Sequence, residues 1–156
     1  IQNMRKMMIK TEAGELCAEG NAVLVRVDTA TGHLVKSTED LIARYAPESE
    51  SENAERPQRI VPPREFDLEV PVLIRRGDID YNGHVHNANY FTLATEVLPE
   101  DIYKSRKIKA FRISYRSPIK KGDEIKAKLA RGESSLAECF FSSDGTLKTV
   151  VIFEFR

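Results

Sequence analysis

The sequence lacks the features that are typical of a membrane protein, a metal-binding protein or a disulfide-bonded secreted protein. It contains no tryptophan and only two cysteines, Cys17 and Cys139, whose separation fits neither a disulfide framework nor a zinc site. No apolar run approaches the roughly 20 residues that cross a bilayer, and no signal-peptide pattern opens the chain. We therefore expect a cytoplasmic protein without membrane insertion, metal or cofactor, in which both cysteines are small buried hydrophobes.

Net charge is also absent, since 24 basic residues balance 24 acidic ones. The balance is uneven, because eleven basic residues between Asp101 and Arg131 face only three acidic ones. Such residues are often solvated strand faces, but a basic surface would also steer an acidic partner. Because the basic residues are not interleaved with aromatics and no reading helix is evident, we expect no nucleic-acid partner.

The sequence divides into two patterned segments and a connection. Residues 1–46 contain extended runs at 2–10 and 16–27, a short third run at 34–36, and a helix to about Tyr45 that Ser37 and Asp40 would cap. Residues 47–63 are rich in Glu, Ser and Pro, which is typical of an exposed linker. Residues 64–156 form the second and more complete segment.

The second segment has the order of an α+β domain. One helix followed by a four-strand antiparallel meander predicts a helix laid on one face of a sheet. The hotdog fold has this order. The pattern places a strand, a helix, a helical turn and four further strands at residues 66–75, 87–98, 101–105, 108–115, 123–131, 136–142 and 147–155.

A polar turn lies between the first strand and the helix of this segment. Asp80, Asn82 and His84 alternate along it, so in an extended turn their side chains share one side. A carboxylate, an amide and an imidazole beside the free N–H groups of a helix start can activate water and stabilise an oxyanion. The alternative is a capped helix start, because these residue types are common in turns and caps.

The run from Asp80 to Tyr90 reads Asp-x-Asn-x-His-Val-x-Asn-x-x-Tyr, and Glu96 follows on the helix. It resembles the signature of the acyl-acyl carrier protein thioesterases, double hotdog enzymes that release fatty acids from their carrier. The runs 25–31 and 34–36 are similar to the end of that family's first hotdog.

The resemblance implies the fold and the partner. Residues 64–156 would be one complete hotdog, an antiparallel sheet wrapped on a central helix, and residues 1–46 the C-terminal part of a first one whose helix lies upstream. The substrate would be acyl-acyl carrier protein (acyl-ACP). A homodimer is possible because hotdogs generally pair their sheets.

The resemblance also implies catalytic roles. Asp80 would position or deprotonate a water, or attack directly; Asn82 would orient the carboxylate or the thioester oxygen; His84 would be the general acid or base. The oxyanion would be bound by backbone N–H groups near the helix start, those of Val85, His86 and Asn87.

The chain departs from the plant-type pattern after the next strand. Those enzymes have a Glu followed by a Cys, and counting from His84 places Pro118 and Ile119 there. This segment is similar instead to single-hotdog acyl-CoA thioesterases, which often have Tyr-x-x-Pro followed by Gly-Asp. The departure favours a scheme that rests on Asp80.

Other candidates have simpler interpretations. His86, where the family usually has Asn, is interpreted as an exposed cap residue. Glu96 is an alternative base that more often forms an ion pair, Tyr90 packs in a core, and His33 lies on the surface. The alternatives to an acyl-ACP hydrolase are an acyl-CoA thioesterase and a non-catalytic hotdog that binds acyl groups.

Overall fold

The structure, a computed structural model, describes residues 2–45 and 57–156. It divides into two compact units, Ile1–Arg59 and Ile60–Arg156. Residues 47–56 of the predicted linker lie outside the described residues. Among the described residues, no helix has the length and apolar character needed to cross a membrane.

The first unit is a β-hairpin followed by a short helix. Strands β1 (Gln2–Lys10) and β2 (Leu16–Val25) pair antiparallel, and Gly14 in the turn has a φ of +88°, which glycine adopts at no steric cost. Helix α1 spans Glu39–Tyr45. None of the described residues of this unit is buried, Cys17 included, so the expectation of a buried Cys17 is wrong.

Two local predictions for this unit are corrected. The expected third strand is reduced to one isolated bridge between Val27 and Leu34. The helix is capped by Thr38 rather than Ser37, because the Leu41 N–H donates to Thr38 Oγ1 at 3.3 Å. The assignment of residues 1–46 to a first hotdog stays a prediction.

The second unit is a five-stranded antiparallel sheet with a helix against one face. Its strands are β3 (Leu68–Val72), β4 (Ile108–Tyr115), β5 (Ile125–Arg131), β6 (Ser135–Ser142) and β7 (Leu147–Phe155). A 3-10 turn and two helices precede β4: Arg76–Asp78, α2 (Asn89–Glu96) and α3 (Glu100–Ser105). The strand order is β3-β5-β6-β7-β4.

Strand β4 does not lie where a four-strand meander would put it. It pairs with β7, with Ile113 opposite Val151, so the predicted meander holds only for β5, β6 and β7. Short turns force β5–β6 and β6–β7 to pair as hairpins. The longer connection at residues 116–124 imposes no such pairing and lets β4 close the opposite edge of the sheet.

The core lies between α2 and the sheet. Alternation on β5 shows why: Ile125, Ala127 and Leu129 are buried against the helix, whereas Lys126 and Lys128 project from the other face. Each fully buried aliphatic or aromatic side chain contributes about 1.5–3 kcal/mol. Other members of the core include Tyr90, Leu93, Ala94, Leu136, Phe140, Val151 and Phe153.

A smaller cluster covers the opposite face of the sheet. Ile60, which the sequence placed in the linker, is buried there against Cys139 and Val150, so Cys139 is the buried cysteine that was expected. Phe66 packs edge-on against Phe141 with ring centroids 6.1 Å apart. The chain therefore joins the second unit by Ile60.

One core position carries a carboxyl group. Glu138 lies on β6 between Leu136 and Phe140, on the face that α2 covers, and it is 0% exposed. Neither of its oxygens has a hydrogen-bond partner among the described residues. Burial raises the pKa of Glu138 from 4.5 to about 9, so the group is a neutral acid at pH 7.

Candidate active site

The three predicted catalytic residues lie on a closed turn, not on an extended segment. The Asp80 N–H donates to His84 O (2.8 Å), and the Gly83 N–H donates to Asp80 O (3.0 Å). Gly83 has a φ of +77°, a conformation that side chains disfavour. The condition of an extended turn is therefore not met, and backbone pairing brings Asp80 and His84 together instead.

The Asp80 carboxylate is fixed by the turn that it begins. Its Oδ1 accepts hydrogen bonds from the N–H groups of Asn82 (2.8 Å) and His84 (3.2 Å), and Oδ2 has a long contact of 3.4 Å with Asn82 Nδ2. Desolvation raises the pKa of Asp80, but those hydrogen bonds and the charge of His84 together lower it below 3.8. The group is thus an ionised carboxylate, and Oδ2 is its less engaged oxygen.

The buried carboxylate of Asp78 stabilises the segment directly before the turn. Asp78 accepts hydrogen bonds from the backbone N–H of Arg75 (2.7 Å) and from its guanidinium Nε and Nη2 (3.2 Å each). The carbonyl of Asp78 accepts the His86 N–H at 2.8 Å and the Asn89 amide at 3.3 Å. The same residue therefore ties the end of the 3-10 turn to the start of α2.

A cavity of ≈ 440 Å³ opens beside the turn. Its lining includes all six residues that the sequence analysis nominated, namely Asp80, Asn82, His84, Val85, His86 and Asn87. The structure thus brings the nominated residues to one concave site.

The three nominated backbone donors are not equivalent. The Val85 N–H donates to Ile119 O and the His86 N–H to Asp78 O, both at 2.8 Å. Among the described residues, the Asn87 N–H has no acceptor. Of the three N–H groups, that of Asn87 therefore remains the candidate for binding the oxyanion.

The remaining candidates lie as follows. His86 is exposed, and its Nδ1 accepts the Ala88 N–H at 3.2 Å, as a cap residue would. Tyr90 is buried in the core. Glu96 and His33 are exposed and are not among the residues that line the cavity.

From the sequence alone, no catalytic or binding role was assigned to the residues at and after the end of β4 that also line the cavity. Tyr115, at the end of β4, and Arg116, Ser117 and Pro118 after it all line the cavity. The Tyr115 hydroxyl donates to Asn87 O at 3.0 Å, and Arg116 Nη2 donates to Ile60 O at 2.7 Å. The end of a strand that carries Tyr, Arg and Ser was the available signal, but only the fold brings these residues to the same cavity as the Asp80 turn.

Within residues 2–45 and 57–156, no group of three or more His, Cys, Asp or Glu side chains is arranged to hold a metal ion. What the site offers chemically is a carboxylate, an imidazole, an amide and a backbone N–H donor.

Comparison with known families decides the identity of the second unit. Residues 63–149 match the family model of the acyl-ACP thioesterase C-terminal domain. The chain belongs to the acyl-ACP thioesterase family. The resemblance inferred from residues 80–90 is thereby confirmed.

Curated relatives of this acyl-ACP thioesterase family member include two of different origin. An uncharacterized protein from Mycobacterium tuberculosis is 30% identical over 123 residues, which are 79% of this chain and 48% of that protein. A chloroplastic dodecanoyl-[acyl-carrier-protein] hydrolase from Cinnamomum camphora is 27% identical over 111 residues, 67% of this chain and 29% of the hydrolase. The chain thus spans about half or less of the length of these relatives.

Solved structures of the family share the fold. The 12:0-ACP thioesterase from Umbellularia californica gives a TM-score of 0.81 at 20% identity, covering 98% of this chain and 62% of that one. An acyl-ACP thioesterase from Bacteroides thetaiotaomicron gives 0.77 at 19% identity, covering 98% and 62%. These likenesses confirm the predicted α+β hotdog fold.

Proposed function

We propose that the second unit carries the hydrolytic site of an acyl-ACP thioesterase and that the thioester carbonyl binds in the cavity beside the Asp80 turn. One observation carries the proposal: the residues that bear an ionised carboxylate, an imidazole and an N–H group without an acceptor among the described residues all line one cavity. Membership of the family supports acyl thioesters as the substrate class.

In the proposed reaction, water is the nucleophile. Oδ2 of Asp80 holds the water while His84 takes its proton, and the water oxygen bonds to the carbonyl carbon. The negative charge that develops on the carbonyl oxygen is bound by the Asn87 N–H. The C–S bond then breaks, and the departing sulfur takes the proton from His84, which leaves a free acid and a free thiol.

Asn82 acts in this scheme through Asp80. Its backbone N–H and its side-chain amide approach different oxygens of the Asp80 carboxylate, at 2.8 and 3.4 Å. Of its two predicted roles, orienting the carboxylate therefore has more support than contacting the thioester oxygen.

The carrier would dock on a basic surface that is narrower than the sequence suggested. Five of the eleven basic residues between positions 101 and 131 form ion pairs, namely Lys104, Arg112, Lys126, Lys128 and Arg131. Lys120 and Lys121 are exposed, form no ion pair among the described residues, and lie two and three residues after Pro118 of the cavity lining. We assign these two lysines to the steering of an acidic carrier.

Replacing Lys120 by Glu is expected to raise KM for acyl-ACP about 3- to 10-fold at low ionic strength with little change in kcat. The reason is that charge at the rim of an interface acts on encounter rather than on chemistry. The measurement is a steady-state titration at several salt concentrations. Lys104→Glu, which reverses the charge of a lysine on α3 outside the cavity lining, is the matched control. A KM for acyl-ACP that salt and Lys120→Glu leave unchanged would rule out steering.

The proposed function is tested by hydrolysis assays with one acyl group presented on acyl carrier protein and on CoA. A kcat/KM that favours the carrier-bound thioester supports an acyl-ACP hydrolase. Equal or higher kcat/KM on the CoA thioester identifies an acyl-CoA thioesterase. Binding of both thioesters without turnover identifies a hotdog that binds acyl groups but has no catalytic activity.

A further inference from the structure

The peptide between Asn87 and Ala88 is held at both ends by side chains. Its carbonyl accepts a hydrogen bond from the Tyr115 hydroxyl at 3.0 Å, and its N–H donates to His86 Nδ1 at 3.2 Å. Tyr115 reaches it from the end of β4, 28 residues along the chain. This peptide therefore cannot rotate without losing two hydrogen bonds.

The preceding peptide, between His86 and Asn87, carries the N–H without an acceptor. Its carbonyl accepts the Asn89 N–H at 2.8 Å, and in a trans peptide the N–H points away from the carbonyl. The two peptides meet at the Cα of Asn87. Holding the second peptide therefore limits the dihedral angles of Asn87 and with them the direction of the Asn87 N–H.

Tyr115 is itself well placed to act as a fixed donor. Its ring packs edge-on against Tyr90, with centroids 5.1 Å apart and an interplanar angle of 80°. The Tyr90 hydroxyl in turn accepts the Ile119 N–H at 3.2 Å, which secures the second ring. Tyr115 is 47% exposed, and its partial desolvation and, to a lesser degree, the neighbouring Tyr90 raise its pKa, so its hydroxyl keeps the proton that it donates.

We propose that Tyr115 is a positioning residue that aims the Asn87 N–H at the oxyanion of the thioester reaction, with His86 as its counterpart on the same peptide. This inference rests on the proposed function. It assigns a role to a residue that touches neither the attacking water nor the carbonyl.

The test replaces Tyr115 by Phe, which removes the hydroxyl and keeps the ring against Tyr90. We expect kcat for the acyl thioester to fall about 10-fold, because small displacements of a transition-state donor have large effects on rate. KM and the Kd of a thioether analogue, which has no carbonyl, should stay at the wild-type values. Tyr103→Phe, at an exposed tyrosine on α3, is the matched control and should leave kcat, KM and the Kd of the analogue at the wild-type values.

The N–H end of the same peptide provides a second test, in which one variant should lower kcat and a conservative variant should restore it. His86→Ala removes the acceptor of the Ala88 N–H and should also lower kcat, whereas His86→Asn supplies a side-chain oxygen two residues before that N–H and should restore it. A merely structural role for His86 would not distinguish the two variants in kcat at equal stability. Equal kcat in His86→Ala and His86→Asn would overturn the pairing of His86 with Tyr115.

Amide hydrogen exchange provides a readout that does not depend on activity. In Tyr115→Phe the Ala88 amide should exchange faster than in the wild type, because the peptide is released at its carbonyl end. Unchanged exchange at Ala88, or wild-type kcat in an active Tyr115→Phe chain, would overturn the inference. A wild-type chain that hydrolyses no thioester would instead overturn the proposed function, and the exchange data would still report whether Tyr115 holds the peptide.

Discussion

Replacing Asp80 by Asn is expected to lower kcat for acyl thioester hydrolysis by roughly 10²- to 10⁴-fold while the fold stays intact. The side-chain oxygen of Asn can still accept the N–H groups of Asn82 and His84, so the turn keeps its internal hydrogen bonds. What is lost is the negative charge and the acceptor Oδ2. An amide there presents N–H donors, which cannot accept a hydrogen bond from the attacking water and so cannot orient it.

The control for this variant is a second carboxylate in the same local geometry. Asp144 lies in the β6–β7 turn, where its Oδ1 accepts the Thr146 N–H at 2.9 Å and the Ser142 hydroxyl at 2.7 Å. Those bonds hold the pKa of Asp144 at about 2. Asp144→Asn should therefore perturb a turn of the same kind without touching the cavity, and its kcat should equal that of the wild type.

The pH dependence of wild-type activity is a second test of the role of Asp80. Since hydrogen bonds lower the pKa of Asp80 below 3.8, the carboxylate is charged throughout the range above that pH. Titration of Asp80 therefore does not lower activity above pH 3.8, and a decline on acidification that begins above that pH would reflect protonation of His84, which must be neutral to take the proton of the water. If Asp80→Asn keeps kcat within a few-fold of the wild type, Asp80 is not a catalytic residue and the mechanism must be assigned elsewhere.

The sequence was informative for several elements of the second unit whose determinants are local. The bounds predicted for β4 and β7, 108–115 and 147–155, are those observed, because alternating side chains and flanking turns define a strand within its own residues. The polar turn was found for the same reason, since its glycine and its hydrogen-bonding side chains lie within five consecutive positions.

What could not be predicted depends on contacts between distant residues. The Val85 and His86 N–H groups are engaged by Ile119 and Asp78, and only the fold brings those carbonyls to the turn. Strand order is of the same kind, because no local pattern states which edge β4 will occupy. Tyr115 was missed for this reason as well, because its partner Asn87 lies in the turn before α2, 28 residues away in the sequence.

Glu138 is a further residue whose surroundings could not be predicted from the alternation of side chains along its strand. A charged side chain at an inward position of a strand is expected at an edge or with a partner. Here it lies on β6, between β5 and β7, with Leu129 opposite it on one side and Val151 on the other. Such surroundings favour the neutral form of the carboxyl group over the ionised form.

Glu138→Met is therefore expected to raise the free energy of unfolding at pH 7 by roughly 2–4 kcal/mol. Met has nearly the length and volume of Glu and buries no polar atom without a partner. In the wild type, folding at pH 7 must protonate a group that is ionised when unfolded, and the rise of its pKa from 4.5 to about 9 makes this cost about 3 kcal/mol. The measurement is denaturant unfolding followed by circular dichroism, with Glu133→Met, at an exposed turn position, as the control.

The sign of the pH effect separates this explanation from simple repacking. A carboxyl group whose pKa is raised on folding stabilises fully below the unfolded pKa, so the wild type should lose stability as pH rises from about 4.5 toward 9. Glu138→Gln removes the titration but keeps a buried polar group, so its stability should be flatter with pH than the wild type yet below that of Glu138→Met. A wild-type stability that does not fall between pH 5 and 9 would mean that the carboxyl group finds a partner or water in solution, because a dry and unpaired acid has no other way to escape this dependence.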